Sequence, residues 1–395
     1  MTVENIARWA QRKGVDLLGT GDCLQADWLQ ELEENLAAAE PGLLALKPAV
    51  AERVARTLPA GLRRNLRYVL STEVNCAPPG TPELGGIHCL IYFPTFDSAR
   101  RFRTRMEPHG DLGEGRPSLL LTPAQVLQSV LDHDPACHFA PAHVFNPWYS
   151  ALGTVSGGRS VAEVFGELTP RLSLIETGLT ATPPMCRRIA SLDRHALFSC
   201  SDAHSLDHLG RECTLLDIEP SYDALFSALE NGSTRNLPGT LKFPILRTRY
   251  YLNRCGACKK SFEGRSCPVC RRPLVMGSRD RLEMIASRPA PLFPPEAPPF
   301  VQLLPLSYLL AELFEQTPRG VKVQRFQERM LAGAGHERYL LTEASHEEIA
   351  KVSLPQIAAA VLAQRAGARD FSLCVPAAEP PGKPVEQMAF DLGQP

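Results

Sequence analysis

Residues 15–22 read Val15-Asp16-Leu17-Leu18-Gly19-Thr20-Gly21-Asp22, a short apolar run that ends in a carboxylate. The same pattern returns along the chain, with strand-like runs at 66–71, 87–93, 136–142, 172–176, 196–200 and 214–218. Helical patterns lie between these runs, at 28–39, 50–57, 123–132 and 160–167. Because alternating strands and helices are typical of β/α proteins, the chain to about residue 245 is predicted to have an α/β fold.

Acidic and imidazole side chains follow these strands one after another. In a β/α barrel the active site is built from the carboxyl ends of several strands, so these side chains are expected to meet on one face. His88 lies near the start of its strand and fits this rule less well. Such groups can hold two or more divalent cations, Zn²⁺, Mn²⁺ or Mg²⁺, and hydrolyse a phosphate ester. The predicted metal ligands are Asp22, Glu73, His88, His143, Asp202 and His204.

Four residues are predicted to be catalytic: Glu73, His143, Asp202 and Arg211. Arg116 and Arg211 are candidates for holding the substrate phosphate, because a guanidinium group can bind two oxygens. Simpler roles stay open, since an aspartate after a strand often caps the next helix and a histidine in an apolar strand is often a core residue. Their repetition at strand after strand favours the metal site.

Two cysteine pairs form a second motif. Cys255 and Cys258 are followed after eight residues by Cys267 and Cys270, each pair with the spacing CxxC. Four thiolates at this spacing fit a closed tetrahedral Zn²⁺ site, which is structural because it leaves no coordination position open. A redox dithiol is the alternative, and the close recurrence of two pairs makes it the weaker one.

Basic residues surround the cysteines, although the formal net charge of the whole chain is −1. A local basic patch can contact phosphates, and Tyr250, Tyr251 and Phe262 can stack on bases. The alternative is an ordinary solvated charged face. Lys242 and Arg247 belong to the same basic stretch, and the predicted DNA contacts are Arg254, Lys259, Lys260, Arg265, Arg271 and Arg272.

The length of 395 residues predicts two or three structural units. We expect a β/α unit at 1–245, a zinc knuckle at 246–286, a Pro-rich linker at 287–300, a small helical domain at 301–375 and a disordered tail at 376–395. Within the tail, Gln387 to Leu392 (QMAFDL) resembles a sliding-clamp-binding peptide. Scattered cysteines and the lack of a signal or membrane segment predict a cytoplasmic protein.

Several stretches resemble the PHP (polymerase and histidinol phosphatase) superfamily, and within it the endonuclease Q family: Gly14 to Asp22 (GVDLLGTGD), Ser71 to Glu73, Pro141 to Gly153 (PAHVFNPWYSALG), Ile175 to Met185 (IETGLTATPPM) and Ser201 to Glu212 (SDAHSLDHLGRE). The resemblance implies a distorted (β/α)7 barrel whose metal ligands begin with His-x-His on the first strand. That motif is absent, so we expect a barrel without its first strand, in a truncated or degenerate member that lacks these two histidines.

The resemblance also implies how the remaining ligands are shared. Glu73, His88 and His143 would complete one metal site, and Asp22 with His204 would remain for a second. Asp202 with Glu73 would be short of partners at a third.

The activity that the resemblance implies is nicking of DNA on the 5′ side of a deaminated base, such as uracil or hypoxanthine, or of an abasic site. A lesion flipped out of the stack would be read in a pocket, for which Thr177, Ser199 and Ser201 are candidates. Two alternatives stay open. One is a small-molecule phosphatase of the histidinol phosphatase type, and the other is a non-catalytic DNA-binding module.

Overall fold

The computed structural model describes residues 1–78, 86–231 and 234–368. The predicted disordered tail at 376–395 lies outside these ranges, and so does the segment from Gln387 to Leu392. The sliding-clamp prediction therefore has no structural support.

Helices and strands alternate through the first two thirds of the chain, and helices alone fill the last part. The helices are α1 (Val3–Lys13), α2 (Ala26–Asn35), α3 (Pro48–Arg56), α4 (Phe96–Met106), α5 (Pro123–Leu131), α6 (Val161–Phe165), α7 (Pro183–Cys186), α8 (Tyr222–Asn231), α9 (Ser278–Ile285), α10 (Leu306–Phe314), α11 (Val321–Ala334), α12 (Glu337–Thr342), α13 (His346–Val352) and α14 (Pro355–Arg365). The strands are β1 (Leu17–Gly19), β2 (Leu36–Ala38), β3 (Leu44–Leu46), β4 (Arg67–Cys76), β5 (Ile87–Phe93), β6 (Ser118–Leu119), β7 (His138–Pro141), β8 (Leu174–Glu176), β9 (Ala196–Phe198), β10 (Cys213–Leu215), β11 (Gly239–Lys242), β12 (Asn253–Arg254), β13 (Ser261–Phe262) and β14 (Phe300–Gln302).

The first helix shows how local sequence sets these bounds. The Thr2 side chain accepts a hydrogen bond from the backbone N–H of Asn5, and Gly14 ends the helix with a φ of 80°. A Cβ atom at position 14 would lie 2.2 Å from Nδ1 of His336, so glycine also permits close contact with the C-terminal helices.

The largest sheet has the strand order β2-β3-β4-β5-β7, with β1 and β6 both paired parallel to β4. Strands β8 and β9 form a parallel pair, β10-β11-β14 form a third sheet, and β12-β13 a fourth. The predicted mixed α/β class is confirmed. In the described ranges the strands form four separate sheets rather than a closed ring, so the (β/α)7 barrel and its missing first strand stay predictions.

Strand direction explains the position of His88. Strand β5 runs antiparallel to both of its neighbours, β4 and β7. The start of an antiparallel strand lies at the same edge of a sheet as the ends of its neighbours. His88 at the beginning of β5 therefore lies beside the final residues of β4 and the segment after β7. The poor fit of His88 to the rule of carboxyl strand ends is explained by this antiparallel direction.

The C-terminal helices pack on the β/α part. Helices α10 to α14 contribute to the same hydrophobic core as α1 and the large sheet. Residues 287–299 form no helix or strand, but Phe300–Gln302 then pairs with Gly239–Lys242. The domain boundaries stay predictions. No helix in the described ranges is long and apolar enough to cross a membrane, and the cytoplasmic location stays a prediction.

Candidate metal centre

Three of the predicted ligands converge at one edge of the large sheet. Glu73 lies on β4, His88 is the second residue of β5 and His143 follows β7. Glu73 Oε1 is 2.6 Å from His88 Nδ1 and 3.4 Å from His143 Nε2. The two imidazole nitrogens are 3.1 Å apart. All three ligand atoms lie within 4.8 Å of one another, which makes them a group that could hold a metal ion.

The spacing of these atoms fits a small divalent cation. A tetrahedral Zn²⁺ with ligands at about 2.0–2.2 Å separates its ligand atoms by about 3.3 Å. Glu73 Oε1 is buried and has no partner of hydrogen-bond geometry in the described part of the chain, although His88 Nδ1 lies 2.6 Å away. Three ligand atoms that lie this close together are arranged around a common point.

The electrostatics of the cluster favour the ligand forms of Glu73 and His88, but not that of His143. Burial acts to raise the pKa of Glu73, but the two neighbouring histidines outweigh it and hold this pKa well below its usual range. Burial lowers the pKa of His88 to about 4, so this imidazole is neutral at pH 7. Burial also acts to lower the pKa of His143, yet Glu73 raises it to about 9. A cation bound at this point would have to displace the proton that the raised pKa favours on His143.

Glu176 holds His143 in place. Its Oε2 accepts a hydrogen bond of 2.6 Å from the His143 backbone N–H, and its Oε1 accepts from the N–H of Gly178 and of Cys200. His143 has a φ of 31°, which is uncommon for any residue but glycine. The carboxylate that ends β8 thus fixes a strained backbone position instead of facing the ligand cluster.

Asp22, Asp202 and His204 lie around the cluster but outside the group of three. Burial and then the charge of Glu73 raise the pKa of Asp22 to about 6. Asp202 lies 3.6 Å from His204 Nδ1, and its charge contributes to the raised pKa of His143. Both aspartates have positive φ, 48° and 45°, as His143 does. Backbone strain at three predicted ligands is typical of functional sites.

The two arginines that were candidates for phosphate contact have different surroundings. Arg116 Nη1 lies 3.5 Å from Glu73 Oε1, and its side chain is one third exposed. The Arg211 side chain is buried, and it donates hydrogen bonds to the backbone carbonyls of Ser201 and Asp202. These contacts favour a positioning role for Arg211 over the phosphate contact expected from the sequence.

A buried ion pair lies beneath the site, and sequence reasoning missed it. Lys242 Nζ is 2.5 Å from Glu212 Oε2, and both side chains are fully buried. The same ammonium group donates to Gly178 O and to the hydroxyls of Thr177 and Ser199. Placing Lys242 in a surface basic patch was therefore wrong. The hydroxyls of Thr177 and Ser199 both accept hydrogen bonds from Lys242. These contacts do not support the two residues as part of a pocket for a DNA base.

The third pocket candidate lies in the same region. The Ser201 hydroxyl donates to the backbone carbonyl of Glu212 and accepts a hydrogen bond from the N–H of Gly210. It therefore ties two segments of the chain together, and nothing in its contacts marks it as a base contact.

The four cysteines form a second cluster. Their sulfur atoms lie within 4.8 Å of one another, with Cys255 Sγ 3.4 Å from Cys270 Sγ and Cys258 Sγ 3.8 Å from Cys267 Sγ. Both pairs fold alike, since Lys259 N–H donates to the carbonyl of Cys255 just as Arg271 N–H donates to that of Cys267. The residue after each pair has positive φ. Two equivalent turns that present four thiols to one point fit a tetrahedral Zn²⁺ site.

Comparison with curated proteins gives two distant relatives, of which only the first is matched over most of its length. The uncharacterized protein YqxK of Bacillus subtilis is 25% identical over 369 residues, which cover 91% of this chain and 86% of that protein. The uncharacterized protein MJ0043 of Methanocaldococcus jannaschii is 23% identical over 238 residues, which cover 56% of this chain and 29% of that protein. No protein-family model matches the chain.

Solved structures resemble the whole fold. The lesion-specific endonuclease PfuEndoQ of Pyrococcus furiosus has a TM-score of 0.78 at 25% identity, covering 93% of this chain and 86% of its own. An endonuclease Q in complex with a 27-mer duplex that carries an abasic lesion at the active site has a TM-score of 0.79 at 25% identity, covering 93% and 87%. This chain has an endonuclease Q-like PHP fold.

The module that contains the four cysteines has a basic surface. Not all of the residues that were predicted to contact DNA belong to this surface. Arg254 is buried, and its guanidinium lies 6.0 Å from the ring centroid of Tyr250, so its place among surface DNA contacts was wrong. Tyr250 itself packs against Trp148 at 5.0 Å between ring centroids. The predicted contacts that are exposed are Lys259, Lys260, Arg265, Arg271 and Arg272.

Proposed function

We propose that this chain is a metal-dependent DNA-repair endonuclease that nicks duplex DNA on the 5′ side of a deaminated base or an abasic site. One observation carries the proposal. The ligand cluster of Glu73, His88 and His143 lies in a fold that matches endonuclease Q over 93% of the chain. The similarity to an endonuclease Q bound to lesion-containing DNA supports a duplex substrate.

Glu73, His88 and His143 would hold the divalent cation. When bound, such a cation stabilises charge on a phosphoryl oxygen and lowers the pKa of water, which is the chemistry that phosphodiester hydrolysis needs. Glu176 keeps His143 oriented through the backbone N–H of His143. Outer contacts of this kind commonly change metal affinity or activity by about 10- to 100-fold when removed.

Other residues would act on the substrate from the rim. Arg116 is partly exposed beside Glu73, where its guanidinium can bind two phosphate oxygens. Asp202 and His204 are 24% and 48% exposed in their side chains, which leaves them open to solvent and substrate. Arg211 would keep the 201–202 backbone in place, and Asp22 would add negative charge for a further cation.

The cysteine module would hold a structural Zn²⁺ and contact DNA. Four thiolates fill a tetrahedral Zn²⁺ sphere and leave no position for substrate. The exposed cations Lys259, Lys260, Arg265, Arg271 and Arg272 can neutralise backbone phosphates without reading sequence.

The test uses three duplexes that differ only at one position, which carries deoxyuridine, deoxyinosine or an abasic site. Each is incubated with the chain and Mg²⁺, Mn²⁺ or Zn²⁺, beside an undamaged duplex and a Glu73→Gln variant. We expect a single nick on the 5′ side of the lesion, dependent on added metal and lost in the variant.

Two results would contradict the proposal. One is no nick in any lesion duplex with any of the three metals. The other is release of phosphate from histidinol phosphate without DNA cleavage, which would assign the cluster to a small-molecule phosphatase instead.

A further inference from the structure

One buried side chain, that of Lys242, contacts three separate segments of the chain. Its Nζ lies 2.5 Å from Glu212 Oε2 and 2.6 Å from the carbonyl oxygen of Gly178. The hydroxyl oxygens of Ser199 and Thr177 lie 2.8 Å and 3.0 Å from the same nitrogen. These acceptors lie directly after β8, directly after β9 and directly before β10. One ammonium group therefore joins the ends of three strands.

Glu212 uses both of its carboxylate oxygens in the same network. Its Oε2 also accepts from the Ser199 hydroxyl at 2.8 Å, and its Oε1 accepts from the backbone N–H of Phe243 at 2.9 Å. The side chains of Lys242 and Glu212 are 1% and 0% exposed. A buried ion pair with this many hydrogen bonds has few alternative arrangements, because most of them would leave a charge without a partner.

A first connection leads from this pair to the metal ligand His143. The carbonyl of Gly178 accepts from Lys242, and the N–H of Gly178 donates to Glu176 Oε1 at 2.7 Å. Glu176 Oε2 accepts from the backbone N–H of His143 at 2.6 Å. A Cβ atom at position 178 would lie 2.4 Å from Cβ of His143, so the two backbone segments are in direct contact. The position of Gly178 therefore constrains that of His143.

A second connection leads to Asp202. Arg211 is the neighbour of Glu212 in the chain, and its guanidinium donates to the carbonyls of Ser201 and Asp202 at 2.7 Å and 2.5 Å. The Ser201 hydroxyl donates to the carbonyl of Glu212 at 3.1 Å. Asp202 and His143 have φ angles of 45° and 31°, and such backbone conformations persist only where surrounding contacts hold them. The buried pair anchors the contacts at both positions.

We propose that Lys242 and Glu212 are positioning residues of the metal centre, which hold His143 and Asp202 in the orientation that binds a cation without contacting the cation themselves. This rests on the proposed function, because it takes the ligand cluster to bind a divalent metal. Outer contacts commonly change metal affinity by about 10- to 100-fold when they are removed. A network that fixes two candidate ligands at once is expected to act within this range.

The test variant separates positioning from stability. Lys242→Met alone would leave the Glu212 carboxylate buried without its cation, which is strongly destabilising. The test variant therefore carries Lys242→Met and Glu212→Gln together, so that no unpaired charge remains in the interior. The side-chain oxygen of the glutamine can still accept from the N–H of Phe243, whereas Gly178 and Ser199 lose the ammonium group.

The matched control makes the same two substitutions in another buried Lys–Glu pair. Lys13 and Glu337 lie 2.9 Å apart, with side chains 3% and 5% exposed. Glu337 also accepts from the backbone N–H of Leu306 and from Gln327, so this pair joins helices α1, α10, α11 and α12. Lys13→Met with Glu337→Gln removes the same charges from the helical part of the protein. Urea unfolding checks that both double variants are folded.

Two measurements are made on each chain. Isothermal titration calorimetry gives the Mn²⁺ affinity. Labelling of the ten histidines with ¹⁵N gives the backbone amide signal of His143 in the metal-free chain, assigned by its loss in a His143→Asn variant. We expect the test variant to bind Mn²⁺ at least about tenfold more weakly. Its His143 amide proton signal should move upfield as the hydrogen bond to Glu176 lengthens, and the control should keep both parental values.

A folded test variant with the parental Mn²⁺ affinity and His143 signal would overturn the inference, and so would equal changes in the control. If the test variant does not fold, Ser199→Ala takes its place, because it removes one link from the ammonium group, and an unmoved His143 signal there would equally overturn the inference. A parent chain that binds no Mn²⁺ would refute the proposed function instead. The signal of His143 in the metal-free chain would still decide whether the buried pair holds this residue.

Discussion

Glu73 has a larger role than any other side chain in the candidate centre, because its Oε1 lies 2.6 Å from His88 Nδ1 and 3.4 Å from His143 Nε2. We predict that Glu73→Gln reduces divalent metal affinity by more than about 100-fold, since the amide loses the negative charge and loss of outer contacts alone costs 10- to 100-fold. Isothermal titration calorimetry with Mn²⁺ measures this.

A matched control tests the same substitution elsewhere. Glu230 also pairs with a histidine, His138, at 3.1 Å, but it lies away from the cluster. Glu230→Gln should leave Mn²⁺ affinity at the parent value. Equal losses in both variants would assign the effect to general destabilisation and not to a metal ligand.

For single residues, the sequence predicted which side chains could bind metal better than it predicted which side chains are exposed to solvent. Glu73, His88 and His143 were predicted because acidic and imidazole groups recur at strand after strand, a repetition that helix capping and core packing explain poorly. Lys242 and Arg254 were misplaced because a run of basic residues carries no sign of which side chains are buried. The ion pair of Lys242 with Glu212 joins residues 30 positions apart, so nothing local indicates it.

Among the elements, the cysteine module is predicted to support the metal-site loop. Arg281 donates to the carbonyls of Leu152 and Gly158 from helix α9, which follows the knuckle. Loss of Zn²⁺ unfolds small modules of this type because binding energy is folding energy. We predict faster amide hydrogen exchange both at 250–280 and at 146–158 in a Cys267→Ser variant.

Hydrogen exchange with mass spectrometry reads both segments in one experiment. Cys137→Ser, which replaces a half-buried cysteine outside the module, is the control and should exchange like the parent. Faster exchange confined to 250–280 would show that the loop does not depend on the module.

The local sequence pattern predicted which segments are helices and which are strands. It did not predict the direction in which the strands run. Ile87–Phe93 is a strand with the expected bounds, and Pro123–Leu131 begins at the expected proline. The helix expected at 28–39 ends at Asn35, because Leu36–Ala38 pairs with Leu44–Leu46. Alternation of apolar residues predicts a strand but not its partner, so the antiparallel β4-β5-β7 arrangement needed the structure.

On the scale of the whole molecule, one buried ion pair joins the two ends of the described chain. Lys13 Nζ lies 2.9 Å from Glu337 Oε2, with side chains 3% and 5% exposed. Glu337 also accepts from the backbone of Leu306 and from Gln327. We predict that Lys13→Met lowers the free energy of unfolding by about 3–5 kcal/mol, because it leaves a buried carboxylate without its cation.

Urea unfolding measures this change, with Arg56→Met as the control. Arg56 pairs with Glu52 on the surface, where such a pair contributes about 0–1 kcal/mol. A Lys13→Met loss no larger than that of Arg56→Met would show that the α1–α12 contact contributes little to stability. No local pattern indicates this contact, since its partners are 324 residues apart.

The proposed activity depends most on a cation at the meeting point of β4, β5 and the segment after β7. Anomalous diffraction from a crystal soaked in Zn²⁺ locates such an ion directly. We predict a peak about 2.0–2.2 Å from a Glu73 carboxylate oxygen, His88 Nδ1 and His143 Nε2. A crystal that shows anomalous density at the four cysteines and none at these three residues would contradict the account.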